Sequence, residues 1–179
     1  YDVTVNKAID IHYNDSALVH SRDRSLKHTY LCNTSVLMDF SHHEEATLDF
    51  DRDPLIPFAL SNEGPSISIA DINDDSLDDV FIGGAKMQPS ALFVQNREGD
   101  FSRHQVELFN EHAKSEDVSH VFFDADNDGD LDLLVVAGGN EFVSGDPLKP
   151  RMYFNTSGRF RYRTEAFSGI SVSASVVRV

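Results

Sequence analysis

The chain has a single cysteine, Cys32. No intramolecular disulfide can staple it, cysteine usage says little about redox compartment, and Cys32 reads as a half-buried apolar residue. Basic residues are scarce as well: 15 Lys and Arg stand against 30 Asp and Glu, for a net charge of -15. That balance argues against nucleic acid and anionic membrane surfaces as partners, since both demand a positive face. No apolar run reaches the 18 residues of a membrane span, so membrane insertion is not expected, and no charged-then-apolar leader opens the chain. The chain starts on Tyr1 instead of Met, which reads as a processed or excised segment. Nucleophile elbow, phosphate loop, zinc-spaced cysteines and nucleotide fingerprint are all missing.

What is present is enough for a real core, with 179 residues, 40% of them apolar and 10% aromatic. It also has an internal repeat. "SISIADINDDSLDDVFIGGA" from 66 aligns with "SHVFFDADNDGDLDLLVVAGG" from 119 in the order strand, acidic loop, apolar strand, Gly-Gly. "LFVQNREGDF" then aligns with "MYFNTSGRF", placing Asn96, Gly99 and Phe101 against Asn155, Gly158 and Phe160. The acidic loops start 53 residues apart, at Asp71 and Asp124, and the Asn-x-x-Gly-x-Phe elements 59 apart. The extra six fall in "NEFVSGDPLKP", a polar Gly/Pro segment of the kind found in loops.

Each unit reads as four short β-strands. "VFIGG" and "LDLLVVA" are β-rich runs of strand length, "NREGD" and "NTSG" are hairpin turns, and the continuous "LLVVA" suits a strand covered on both faces. Four antiparallel strands recurring every 50-odd residues predict an all-β fold of β-propeller blades. The expected division is a non-repeat segment of mixed strand and loop at 1–60, blades at 61–115 and 116–170, and the first strand of a third, truncated blade at 171–179. Two blades and a strand cannot close a ring of four to eight, so a partial propeller, with self-association through an unpaired blade edge, is expected. Within 1–60, "VTVNKAIDIHY" alternates like a strand, "SALVHSRDRSLKHTYLCNTSVLMDF" suits a short helix and a strand, and "PLIPFAL" is too proline-bracketed for a sheet centre.

The acidic loops crowd ten of the 30 acidic residues into 71–79 and 124–132. Alternating carboxylates on a tight turn suit calcium, which takes six to eight oxygen ligands. In the second loop Asp124, Asp126, Asp128 and Asp132 hold positions 1, 3, 5 and 9, Gly129 allows the bend, and Asp130 offers its carbonyl. The first loop offers Asp71, Asn73, Asp75, Asp79 and the Leu77 carbonyl, with Ser76 in place of the glycine. Two calcium sites are expected, the second tighter. An EF-hand is excluded, because position 12 is Ile82 or Val135 instead of Glu and the flanks are strands.

The order "DINDDSLDDVFIGGA" and "DADNDGDLDLLVVAGG", each followed by a strand and the Asn-x-x-Gly-x-Phe turn, resembles the FG-GAP or VCBS-type repeat of integrin alpha-chain propellers and secreted bacterial proteins. "FIGGA" is similar to the Gly-Ala-Pro element of that family, with Lys86 in the place of proline. "DFDRDPLIPFALSNEGP" and "GGNEFVSGDP" resemble bacterial surface or periplasmic relatives of cartilage acidic protein. The resemblance covers roughly residues 40–179. It implies a calcium-stabilised propeller, extracellular, cell-surface or periplasmic, that binds a protein or glycan ligand. The rival reading is a propeller scaffold for a secreted hydrolase or lyase whose catalytic residues lie on loops or outside this sequence.

Three further features carry less weight. "SHHEEA" (41–46) reads as polar surface, because adjacent side chains diverge. His104, His112 and His120 recur every eight residues but straddle different elements. Asn14, Asn33 and Asn155 each begin a glycosylation sequon, with Asn155 also a turn residue.

Overall fold

In a computed structural model, residues 38–44, 54, 55, 57, 64–139 and 142–179 are described, and all belong to one compact unit, Val36–Val179. The expectations for 1–37 therefore lie outside the described residues, as do Cys32, Asn14 and Asn33. So does most of "PLIPFAL", of which only Pro54, Leu55 and Pro57 are described.

Two antiparallel four-stranded meanders make up the unit. The first runs β1 (Ile67–Ala70), β2 (Asp79–Ile82), β3 (Ala91–Gln95) and β4 (Phe101–His104); the second runs β5 (Asp117–Phe123), β6 (Asp132–Ala137), β7 (Arg151–Phe154) and β8 (Arg161–Arg163). A five-residue helix, α1 (Val106–Asn110), and a 3-10 turn, Asp146–Leu148, are the helical pieces among the described residues. The fold is the all-β pair of four-stranded blades expected of a partial propeller, and α1 is the element the strand pattern did not anticipate.

β2 is buried at every position and β6 at all but one, which explains why neither alternates polar with apolar. Phe81 and Leu92 of the first sheet pack with Phe109 of α1 against Leu133, Val135 and Tyr153 of the second and Phe160, just before β8. Phe109 bridges the sheets, with ring centroids 5.4 Å from Phe81 and 5.5 Å from Tyr153. The opposite face of the first sheet, with Val80, Ile82, Ala91 and Phe93, is covered by Met38 and Phe40. Arg103 locks that cover in place, lying over both Phe40 and Phe93 and donating to the Asp39 carbonyl. Strand pairing makes Val80, Ile82 and Phe93 the counterparts of Leu133, Val135 and Tyr153. Residues 38–40 therefore sit where, in the second unit, a neighbouring blade sits.

The repeated Gly-Gly has a steric cause. A Cβ on Gly83 would stand 2.2 Å from the Asp117 carbonyl oxygen, because β5 enters against the first sheet and the Asp117 N–H donates to the Gly84 carbonyl at 2.8 Å. In the second unit the Ala174 N–H donates to the Ala137 carbonyl at 2.9 Å. The stretch 171–179 thus approaches the second sheet as β5 approaches the first, without a ladder partner of its own among the described residues.

Pairing also refines the repeat alignment. Val80 and its partner Phe93 are 13 residues apart while Leu133 and Tyr153 are 20 apart, so the β6–β7 connection is longer by seven. Val94 and Ser102 are eight apart while Phe154 and Arg161 are seven apart, so the last hairpin is shorter by one. The net six hides a compensating shift, and Gln95, not Asn96, is the counterpart of Asn155.

Candidate metal-binding loops

Both acidic loops have the same backbone course. Position 4 is left-handed in each, at Asp74 (φ 60°) and Asn127 (φ 66°), and so is position 6, at Ser76 (φ 68°) and Gly129 (φ 97°). Glycine takes this conformation freely, whereas serine pays about 1 kcal/mol or more for it. Ser76 adopts the required geometry despite that cost.

The position-1 carboxylates wind the loops around themselves. Asp124 accepts the N–H groups of Asn127 (2.7 Å), Asp128 (3.2 Å) and Gly129 (3.1 Å). Asp71 accepts those of Asp75 (3.1 Å) and Ser76 (2.7 Å). At position 5, Asp75 accepts the Leu77 N–H and Asp128 the Asp130 N–H, both at 2.9 Å.

Winding brings one oxygen each of Asp124, Asp126 and Asp128 within 4.8 Å of one another. The Asp126 carboxyl pKa is raised from its ordinary value by desolvation and by the charges of Asp128, Asp132 and Asp124. In the first loop Asn73 replaces one carboxylate, and its Nδ2 donates to Asp75 at 3.1 Å, which takes one negative charge out of the cluster. The donor set, oxygen throughout, fits a hard cation such as calcium better than zinc or copper.

The position-9 residues stand apart. Asp79 and Asp132 are both fully buried. Each ties its own loop to the following hairpin through backbone donors: Asp79 accepts from Ile72 (3.2 Å) and Gln95 (2.8 Å), Asp132 from Ala125 (2.9 Å) and Asn155 (2.8 Å). Burial raises Asp79, and these two N–H groups pull the other way. Asp130 reaches the same hairpin with its side chain, accepting from the Ser157 N–H at 2.9 Å.

Asn155, 1% exposed, is the joint between the loops. Its Nδ2 donates to the Ile72 carbonyl in the first loop (2.7 Å) and to the Leu131 carbonyl in the second (3.0 Å). A side chain so enclosed cannot carry a glycan in the folded protein. Asn96 instead caps its own turn, accepting from Glu98 (3.0 Å) and Asp100 (2.9 Å).

Sequence reasoning missed a buried ion pair between the sheets. Asp117 on β5 pairs with Arg151 on β7 and accepts a hydrogen bond from the Ser90 hydroxyl, in the β2–β3 connection just before β3. The signal was in the repeat: Arg151, opposite Val135, stands where Ala91 stands opposite Ile82. The three evenly spaced histidines do separate jobs. His104 bonds the Gly158 carbonyl (3.0 Å), His112 packs on Tyr162, and His120 bonds Ser68 (2.6 Å) while lying edge-on to Phe81. In 41–44, His42 bonds Glu44 and the His43 N–H donates to Gln88. That is a surface arrangement holding the cover over the first sheet.

Two meander blades sharing a core, each opening on an acidic loop, define a propeller-like repeat module. Compared with known families, residues 71–135 match the FG-GAP-like repeat, a stretch running from the first acidic loop into β6. No curated protein and no solved structure matches the chain.

Proposed function

We propose that the two acidic loops bind calcium and that the blade pair is a calcium-stiffened recognition module, acting outside the cytoplasm on a protein or glycan partner. The observation that carries this reading is the convergence of Asp124, Asp126 and Asp128 oxygens within 4.8 Å. Like charges at that spacing raise each other's energy, and a divalent ion cancels the repulsion. Asp124, Asp126, Asp128 and the Asp130 carbonyl would hold the ion in the second loop, with Asp132 bracing it from below. Asp71, Asn73, Asp75 and the Leu77 carbonyl would do so in the first, with Asp79 as its brace. Bound calcium would supply charge compensation and rigidity.

An extracellular setting suits such a module, since loops of modest affinity fill at millimolar calcium. Among the described residues no helix is long and apolar enough to cross a membrane. Self-association belongs to the same proposal: Ile67 and Ile69 remain 59% and 62% exposed on the first sheet, beside the area that Met38 and Phe40 cover. The deciding experiment is a thermal melt in millimolar calcium, millimolar magnesium and excess chelator. Calcium should raise the melting temperature well above the other two, because a ligand at a hundredfold excess over its Kd contributes about 2.7 kcal/mol per site. Coincident curves would refute calcium binding.

A further inference from the structure

A meander alternates its connections between two ends of the sheet. The acidic loops lie at one end, and the α1 segment and the β6–β7 connection lie at the other. At that second end is a cleft of about 620 Å³, within the range of small-molecule sites. Phe142 and Tyr162 contribute aromatic surface to it, and Lys114, Lys149, His112 and Arg151 contribute cationic or hydrogen-bonding groups.

Two lining residues hold buried nitrogen atoms without partners: Nε of Arg151, a residue 2% exposed, and Nε2 of His112. Unpaired buried polar atoms are few in native proteins, and a bound group is one standard explanation. Arg151 is already fixed by Asp117, so its Nε–H is held in place and not free to swing toward water. Lys114 is exposed and makes no ion pair among the described residues. Lys149 is paired at 2.6 Å with Asp146, which is 89% exposed. Such a surface pair is weak enough for a ligand to replace. Arg151 and Lys149 already have carboxylate partners in Asp117 and Asp146, so Lys114 is the cation through which the cleft would draw an anionic group, with the Arg151 and Lys149 nitrogens as further donors.

We propose that the cleft binds a sugar-sized ligand bearing a carboxylate, such as a uronate unit of an acidic glycan. The carboxylate faces Arg151, His112 and Lys114, the chemistry by which guanidinium and ammonium groups hold carboxylates. The sugar ring lies against Tyr162 or Phe142, and Glu111 and Asp146 at the rim accept its hydroxyls. This deepens the recognition role proposed above by naming a ligand class, and it stands apart from the calcium loops.

The test is calorimetric titration of the full chain, in millimolar calcium, with a galacturonate trisaccharide, a neutral galactose trisaccharide and sodium acetate. The acidic trisaccharide should bind at least about tenfold more tightly than either comparison, and Lys114→Glu should weaken it by about tenfold or more, the loss expected for one charged hydrogen bond. The variant should keep its melting temperature and its calcium response, which separates failure of the cleft from failure of the metal reading. Equal binding of the neutral sugar or of acetate would overturn the proposal, as would an unchanged affinity in Lys114→Glu. Binding that vanishes on chelation while the protein stays folded would also overturn it, because the ligand would then be bridged by calcium.

Discussion

Replacing Asn155 with alanine should cost far more than a turn residue ordinarily does. Its Nδ2 donates to Ile72 at 2.7 Å and to Leu131 at 3.0 Å, and the residue is 1% exposed. A hydrogen bond contributes a net of about 0.5–1.5 kcal/mol, rising to about 1–3 kcal/mol where the lost partner leaves a buried group unsatisfied. The Ile72 carbonyl belongs to a buried residue, so the higher range applies there and the lower at Leu131. The two together come to about 1.5–4.5 kcal/mol. The unpartnered Oδ1 of Asn155 returns part of this on removal, which places the expected loss nearer the lower end. The right control is Gln95→Ala at the counterpart position, where the bond to Asp79 comes from the backbone and survives; its loss should stay within about 0.5 kcal/mol. Urea unfolding followed by circular dichroism, in saturating calcium, measures both. A difference below about 0.5 kcal/mol would refute the assignment of Asn155 as the joint between the loops.

Ser76→Gly should stabilise the protein by about 0.5–1 kcal/mol and tighten calcium at the first loop, since it removes the cost of a left-handed serine at φ 68°; an unchanged melt and titration would contradict this. Asp126→Ala should raise the melting temperature in chelator, by relieving the repulsion from Asp128, Asp132 and Asp124, and reduce the calcium-induced shift more than Asn73→Ala does. Paired melts with and without calcium check both directions. His112 and His120 are held below the usual histidine value of 6.5, mainly by burial. On acidification the unfolded chain therefore takes up protons before the folded one. Stability should fall as pH drops below about 6.5 toward the folded-state values, and His120→Gln should flatten that slope in urea midpoints between pH 7 and 5.

Much of the fold was legible because the two units say the same thing twice. Alternating acids ending in Asp79 and Asp132, an apolar run and a Gly-Gly recur in order, and each follows from a local rule: oxygen ligands on a turn, a doubly covered strand, a close backbone approach. Helix α1 was not legible. Five residues carry too little periodicity, and what holds α1 is tertiary: Phe109 in the shared core, and the Gln105 side chain paired with the Phe160 backbone at 2.7 and 2.8 Å.

The site was legible to a different depth. Spacing places Asp124, Asp126 and Asp128 together, because position-1 winding is local to the loop. Spacing also put Asp79 and Asp132 in the same ligand role, yet the structure buries them as braces to the next hairpin. That duty depends on a strand 16 or 23 residues away, beyond any local pattern. Asn96 and Asn155 carry the point furthest. They match in letter and spacing, but a seven-residue insertion offset by a one-residue deletion sets them one register apart. One closes its own exposed turn, whereas the other is buried between two loops. A motif alignment equates residues by sequence distance, while a sheet equates them by pairing partner, and only the second decides which asparagine can join the loops.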